Sequence, residues 1–218
     1  MWSPAALHFL FNTLTAIQAY VRSRPGLAEE MIGALAQLVR ATLSRGEGPV
    51  LVAEELALVQ MYLGLERARL GHRLRTVLDV DPGTLGVRIP ALVMQPLVEN
   101  AVVHAAACRV DGATLRLAVR YRHERKQLLI MVADDGPGVP RPQVAMGGAG
   151  PPVFAGGLHL GLSTLRRRLA ASYGRNARLR LLRRPGGGTI AAVALPTGAA
   201  PRQMYVVPQD AARADRRR

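Results

Sequence analysis

Two pairs of polar side chains, Gln95 with Glu99 and Asn100 with His104, interrupt a run that is otherwise apolar at Leu92, Val93, Leu97, Val98 and Val102. Each pair is four residues apart, so the pairs occupy adjacent faces of one helix. Groups of this kind are costly to bury without partners. They either build a site or form a stripe that faces solvent. A second cluster, Asp134-Asp135-Gly136-Pro137-Gly138, leaves a strand pattern and enters a loop. A carboxylate there can accept an exocyclic amine while glycines let a flat base approach the backbone, although the same residues also make an ordinary turn. Further on, His159-Leu160-Gly161-Leu162 opens a helix, whose free N–H groups and dipole suit a phosphate chain. Arg166, Arg167 and Arg168 either add charge to that end or line a solvated helix surface. His8 stands alone near the start, beside Phe9-Leu10-Phe11-Asn12. Imidazole is largely neutral and nucleophilic near neutral pH.

These groups need elements to position them. Leu7, Leu10, Phe11, Leu14, Ile17 and Val21 recur at helical spacing up to Pro25-Gly26, and Met31, Leu35, Leu38 and Thr42 continue the pattern. Residues 5–45 are therefore predicted to form two antiparallel helices, with Leu7, Leu10, Phe11 and Leu14 inward and His8 at the stripe's margin. Such a pair needs a partner chain to bury both faces. A third helix is expected over 53–70, with Glu54, Glu55, Glu66, Arg67 and Arg69 on its outer side. A strand over 74–80 follows, then a helix over 90–107 and a hairpin of 115–121 with 128–132. The Gly/Pro-rich stretch 136–161 is too long for an ordinary connection. A helix over 162–173 and strands at 178–182 and 189–195, joined around Pro185-Gly186-Gly187-Gly188, complete the pattern. The order predicts an α+β fold, one mixed sheet covered on one side by helices. Residues 198–218 show no period and are expected to be disordered.

The charge of +14 comes almost entirely from arginine, since Lys126 is the sole lysine. It favours acidic partners without choosing among them. Aromatic residues are only 4% and do not alternate with basic ones, so a nucleic-acid stacking platform is not expected. A single cysteine, Cys108, excludes a disulfide framework or a multi-cysteine metal site within one chain and fits a reducing, cytoplasmic setting. The uncharged stretch from Ser3 to Val21 contains His8, Asn12, Thr13, Thr15 and Gln18 and lacks a basic run before it. Neither a membrane span nor a signal peptide is expected there.

In this order the blocks resemble the GHKL ATPase superfamily, and more narrowly the sensor histidine kinases of the autolysin-regulator type. The phosphoacceptor motif of that branch reads Asn-Pro-His-Phe-Leu-Phe-Asn, and the corresponding residues here are Ala6-Leu7-His8-Phe9-Leu10-Phe11-Asn12. The resemblance runs from about Leu7 to Leu195 and includes Gln95-Pro96-Leu97-Val98-Glu99-Asn100-Ala101 and Pro185-Gly186-Gly187-Gly188-Thr189. It implies a helical dimerisation and phosphoacceptor region at 1–70, a GHKL α/β sandwich that binds ATP at 71–197, and a basic tail at 198–218. It implies ATP and Mg²⁺ as cofactors, with Asn100 as metal ligand and Glu99 positioning or activating the attacking group. Gln95 and His104 belong to the nucleotide site in this reading. Asp134 holds the adenine amino group, Gly136 and Gly138 shape that wall, and Thr189 supports it. Gly161 and Leu162 meet the phosphates, residues 139–160 form a lid, and His8 is the nucleophile. The implied activity is autophosphorylation of His8 followed by transfer to an aspartate of a response regulator receiver domain. A homodimer and a membrane-bound sensor partner are the other implied associations.

Several positions depart from that pattern. Ala6-Leu7 stand for Asn-Pro, Val103 for a basic residue and Ala105 for a glycine. Asp135 stands for asparagine and is expected to add negative charge near the nucleotide. His159 replaces the first glycine of a Gly-x-Gly pair and Thr164 an asparagine, with Gly156-Gly157 able to compensate by a register shift. These departures imply weaker phosphate contacts and leave an alternative, an ATP-binding scaffold or shortened kinase that acts by pairing with a partner.

Overall fold

The computed structural model describes residues 4–43, 48–106, 109–138 and 160–197. Helix α1 (Pro4–Ser23) and helix α2 (Pro25–Leu43) form the expected antiparallel pair. Pro25-Gly26, expected to follow the end of the first helix, open α2 directly, because proline lacks the N–H that a first helical position leaves unused. Phe9, Thr13 and Ile17 of α1 are buried, as are Ala28, Met31, Leu35 and Leu38 of α2. The inward stripe therefore differs from the predicted one. Leu7, Phe11, Leu14 and Val21 are exposed, as are Ile32 and Leu43 on α2. Helix α1 is apolar on two faces, and only one of them is covered among the described residues.

A short strand β1 (Pro49–Leu51) leads into helix α3 (Val52–Leu70), whose start is held by the Glu54 carboxylate accepting from the Leu51 N–H at 2.8 Å. Tyr62 meets Phe9 of α1 with ring centroids 4.8 Å apart, and the Tyr20 hydroxyl donates to the Ala68 carbonyl at 3.1 Å. Helix α3 is thus buried against both the helical pair and the sheet layer. Glu55 and Glu66, expected on its outer side, are 1% and 2% exposed.

Five strands form the main sheet: β2 (Leu74–Val80), β4 (Ala113–Arg122), β5 (Gln127–Asp134), β6 (Arg178–Arg183) and β7 (Thr189–Pro196). Their order is β2-β4-β5-β7-β6, with β2 parallel to β4 and the other neighbours antiparallel. Strands β4 and β5 extend the predicted hairpin by one or two residues at each end. The register sets Leu117 opposite Val132 and Val132 opposite Ala191, so these three share one face with Val119, Ile130 and Val193. That face is fully buried under α3, helix α4 (Met94–Ala101) and helix α5 (Leu160–Tyr173). The opposite face carries exposed Arg116, Arg178 and Arg180. The α+β arrangement is as expected, one mixed sheet with helices on one side.

The expected helix over 90–107 is shorter and divided. Pro90 ends a strand, β3 (Arg88–Pro90), which pairs antiparallel with β1. Helix α4 then begins only at Met94, and after Ala101 it continues as one π-helical turn over Val102–Ala106. Such turns are rare and gather at functional sites. Among the described residues no helix is long and apolar enough to cross a membrane. Most of the predicted lid, including Gly156, Gly157 and His159, and the tail at 198–218 lie outside the described residues.

Candidate functional site

The start of α4 is fixed by a buried carboxylate from α3. Glu55 Oε1 accepts from the Leu92 N–H at 2.6 Å, and Oε2 accepts from Val93 and Met94 at 3.0 Å each. Leu92 takes a positive φ of 57° to aim its N–H there, a conformation disfavoured for a side chain of that size. A second tether comes from α5, where Arg168 donates to the Ala91 carbonyl. Arg168 thus holds the approach to α4, whereas Arg166 and Arg167 are exposed.

From this fixed start, α4 presents the two polar pairs. Gln95 Nε2 donates to Glu99 Oε1 at 3.1 Å. Burial raises the Glu99 carboxyl above the ordinary carboxylate range, the Gln95 hydrogen bond opposes this, and the charge of Glu66 adds to the rise. Gln95 Oε1 and Asn100 Oδ1 are buried and accept no hydrogen bond among the described residues. A buried acceptor left in that state costs about 1–3 kcal/mol, so each of these two oxygens has acceptor capacity that folding leaves unused. His104 lies on the π-helical turn, and its electrostatic influence on Asp134 connects α4 to the sheet.

Asp134 ends β5 and is 3% exposed. Its Oδ1 accepts from Gly136 at 3.0 Å and from Thr189 at 3.2 Å. Among the described residues its Oδ2 accepts none, which leaves that oxygen for an amine donor. Burial raises its proton affinity, the Gly136 and Thr189 N–H groups oppose, Asp135 raises it further and His104 lowers it. The surrounding backbone is too close for side chains. A Cβ on Gly136 would stand 2.7 Å from Ala105 Cβ, and one on Gly188 would stand 2.0 Å from the Asp134 carbonyl oxygen. Gly188 also has φ +95°, and Gly138 rests against its carbonyl. Thr189 opens β7 beside this wall and is buried. Asp135 carries its expected negative charge beside Asp134, and its Oδ1 also accepts from the Thr114 N–H at 2.7 Å and so ties down the start of β4.

Gly161 and Leu162 lie in the first turn of α5, and a Cβ on Gly161 would stand 3.6 Å from Pro96 Cβ. This contact sets the N-terminus of α5 against α4, one residue from Gln95. Leu162 is buried, so its backbone rather than its side chain is the feature offered to a ligand. The structure therefore gathers Gln95, Glu99, Asn100, Gly161 and Leu162 on one side and His104, Asp134, Gly136, Gly138 and Thr189 on the other. His8 is separate. It is exposed on α1, with Asn12 Nδ2 at 3.2 Å from its Nδ1 and 3.3 Å from its Nε2.

Sequence reasoning missed Glu55 and Glu66. The usable signal was their spacing with Val59 and Tyr62, at intervals of four, three and four, which puts all four residues on one helical stripe. Among the described residues no group of three or more His, Cys, Asp or Glu side chains is arranged to hold a metal ion.

Residues 87–199 match the family described as histidine kinase-, DNA gyrase B-, and HSP90-like ATPase, and residues 6–74 match the family described as histidine kinase. An uncharacterized sensor-like histidine kinase of Staphylococcus epidermidis is 31% identical over 191 residues, covering 87% of this chain and 36% of that protein. The sensor protein kinase HptS of Staphylococcus aureus is 29% identical over 191 residues, with the same shares of 87% and 36%. The chain thus spans 36% of the length of these curated relatives. Among solved structures, the catalytic domain of histidine kinase ThkA superposes with a TM-score of 0.51 at 16% identity, over 70% of this chain and 97% of that one. That likeness is one of fold.

Proposed function

Because this chain belongs to the histidine kinase-, DNA gyrase B-, and HSP90-like ATPase family, we propose that it is an ATP-dependent protein-histidine kinase of a two-component system, with His8 as its phosphoacceptor. The observation that carries the reading is the buried, unpartnered Asn100 Oδ1 on α4. A neutral oxygen with no protein donor suits a hard divalent cation, and Mg²⁺ takes few protein ligands beside phosphate oxygens and water. Gln95 Oε1, also unpartnered, lies on the same short helix, so the donor set fits.

In this reading residues 1–70 form the dimerisation and phosphoacceptor region and residues 71–197 the ATPase domain. Asn100, with Gln95 beside it, would hold the Mg²⁺, which would supply neutralisation of the phosphate charge. Asp134 Oδ2 accepts from the adenine amino group, while Gly136, Gly138 and Thr189 form the wall beside it. The first turn of α5, at Gly161 and Leu162, directs backbone N–H groups at the phosphates. Gln95 fixes the orientation of Glu99, which faces the attacking group, and His104 completes the pocket beside Asp134. Phosphoryl transfer depends chiefly on such positioning and charge neutralisation. The phosphoryl group then passes from His8 to an aspartate of a response regulator. The outward apolar stripe at Leu7, Phe11, Leu14 and Val21 supports a homodimer through α1 and α2. A membrane-bound sensor partner belongs to the same reading.

Incubation with γ-labelled ATP and Mg²⁺ tests the proposal. Wild type is expected to acquire acid-labile, base-stable label, and His8→Gln and Asn100→Asp are expected to lose at least about 100-fold of it. ATP binding without label in wild type would replace the kinase with the scaffold alternative. Val103, which puts no charge where the resemblance expects one, is the observation favouring that alternative, and Val103→Arg is then the first reversion.

A further inference from the structure

We propose that the outer face of the main sheet is a docking trough for an acidic amphipathic helix of a partner protein, apolar on its floor and basic on both rims. The trough is independent of the nucleotide site. A sheet with one solvated face alternates apolar and polar residues along its strands, whereas a strand covered on both faces is a near-continuous apolar run. Strands β5 and β7 are of the second kind. Leu128–Ala133 and Ile190–Leu195 are each six apolar residues in succession. The register pairs these runs in full, from Leu128 opposite Leu195 to Ala133 opposite Ile190. Their inward members are buried, while the outward ones, Leu129, Met131 and Ala133 with Ile190, Ala192 and Ala194, are half-buried. Helices α3, α4 and α5 cover the other face, so among the described residues a pair of strands built for two covers has one.

The neighbouring strands supply the rims. On β4, Arg116 stands beside Ala133 and Arg120 beside Leu129, and on β6, Arg180 stands beside Ala192 and Arg178 beside Ala194. Strands β4 and β6 are three strand spacings apart, about 14 Å, and an α-helix with its side chains is about 10–12 Å across. The alanines keep the floor low between the arginines. Asp79, the one acid among the strand residues of this face, is paired with Arg120. Arg116, Arg178 and Arg180 are exposed and take part in no ion pair among the described residues.

Charge selects the occupant. A second copy of this face would set arginine against arginine, and residues 198–218 carry five arginines against two aspartates. A lipid surface would meet the arginines first and leave the recessed floor short of the hydrocarbon. A nucleic acid would find no aromatic ring on the face to stack on. A helix with an apolar stripe and Asp or Glu on both margins fills the trough and pairs the exposed arginines.

Fluorescence anisotropy on the full chain without nucleotide tests this. The probe is a labelled synthetic peptide about five helical turns long, with Leu and Ala on one face and Glu on both margins. Its control is a scrambled peptide of the same composition, which keeps the charge and loses the stripe. The amphipathic peptide is expected to bind wild type at least about 10-fold more tightly than the scrambled one, a comparison that requires no variant to fold. Arg178→Glu combined with Arg180→Glu, and separately Arg116→Glu, are expected to weaken it at least about 10-fold. Ala192→Arg adds positive charge while filling the floor, so docking weakens where a general attraction to a basic protein would strengthen. Equal binding of the two peptides, or tighter binding by Ala192→Arg, would overturn the trough. Vesicles of phosphatidylserine with phosphatidylcholine and a single-stranded oligonucleotide are run beside the peptides, and tighter binding of either, lost in the rim variants, would overturn the partner helix in favour of that class. Failure of the full chain to bind the amphipathic peptide would also overturn it. Sedimentation of wild type beside Arg178→Glu/Arg180→Glu, and peptide binding by a chain ending at Thr197, would then tell whether a second copy or residues 198–218 hold the face.

Discussion

Glu55 and Asp134 are both buried carboxylates held by backbone N–H groups, yet they divide their oxygens differently. Glu55 uses both, with Leu92 on Oε1 and Val93 and Met94 on Oε2. Asp134 receives Gly136 and Thr189 on Oδ1 alone. A carboxylate offers about four acceptor sites, so the distribution separates two uses. When both oxygens are committed, the group ties chain to chain. When one is left, it has acceptor capacity for something that is not part of the chain. Glu66 belongs with Asp134 by this count, since Arg69 occupies only Oε2. The three acids differ little in burial, at 1%, 2% and 3% exposure for Glu55, Glu66 and Asp134, so burial alone would not have sorted them.

The largest effect expected from breaking this contrast is at Glu55. Glu55→Ala leaves three N–H groups at the start of α4 without their acceptor in a dry environment. The cost is about 3–5 kcal/mol of stability, read from denaturant unfolding of the variant beside wild type. A loss in ATP affinity should appear only where the variant is partly unfolded. An unchanged unfolding midpoint would mean that Glu55 is not the clasp between α3 and α4.

Asp134→Asn asks the opposite question. The amide oxygen can keep the hydrogen bonds from Gly136 and Thr189, so stability should change by less than about 1 kcal/mol. What changes is the other atom, which turns from acceptor to donor and faces the adenine amino group with like polarity. Losing a charge-assisted hydrogen bond of about 1.5–3 kcal/mol corresponds to roughly 10- to 100-fold weaker ATP binding, measurable by titration calorimetry. A variant that loses stability and keeps ATP affinity would place Asp134 in the same class as Glu55.

The difference between the two carboxylates was only partly legible in the sequence. Asp134 follows a strand whose alternation is plain, and the glycines behind it mark a turn, so its place at a sheet edge could be read directly. Glu55 and Glu66 were assigned to the outside of their helix because charged residues are rarely buried. Helix α3 has no single outside, since the helical pair covers one side and the sheet layer the other. The same ambiguity affected α1, where two apolar faces were read as one inward stripe and Leu7, Phe11 and Leu14 proved to be exposed. Strands β1 and β3 are three residues each, too short for a period of two to register. Nor could local pattern locate the start of α4, because the group that fixes it is Glu55, 37 to 39 positions earlier in the chain.

The smallest expected effect concerns Glu66 and depends on the sign of its proton linkage. Burial raises its carboxyl above the ordinary value of 4.5, against the opposing influence of Arg69 and His8. The folded protein therefore binds this proton more tightly than the unfolded chain does. In the window between 4.5 and the raised value, the native state carries more protons than the unfolded state, so stability falls as pH rises. Above the window both states have released the proton and the contribution is flat. Glu99 and Asp134 are raised as well and give slopes of the same sign, so the informative quantity is the difference between proteins. Thermal unfolding midpoints taken upward from pH 4.5 should decline more steeply in wild type than in Glu66→Gln, with Arg69, His8, Tyr62 and Glu99 present in both. Parallel profiles would mean that Glu66 binds its proton no more tightly in the folded state, as an exposed carboxylate would, which would remove it from the half-committed class and leave Asp134 there alone.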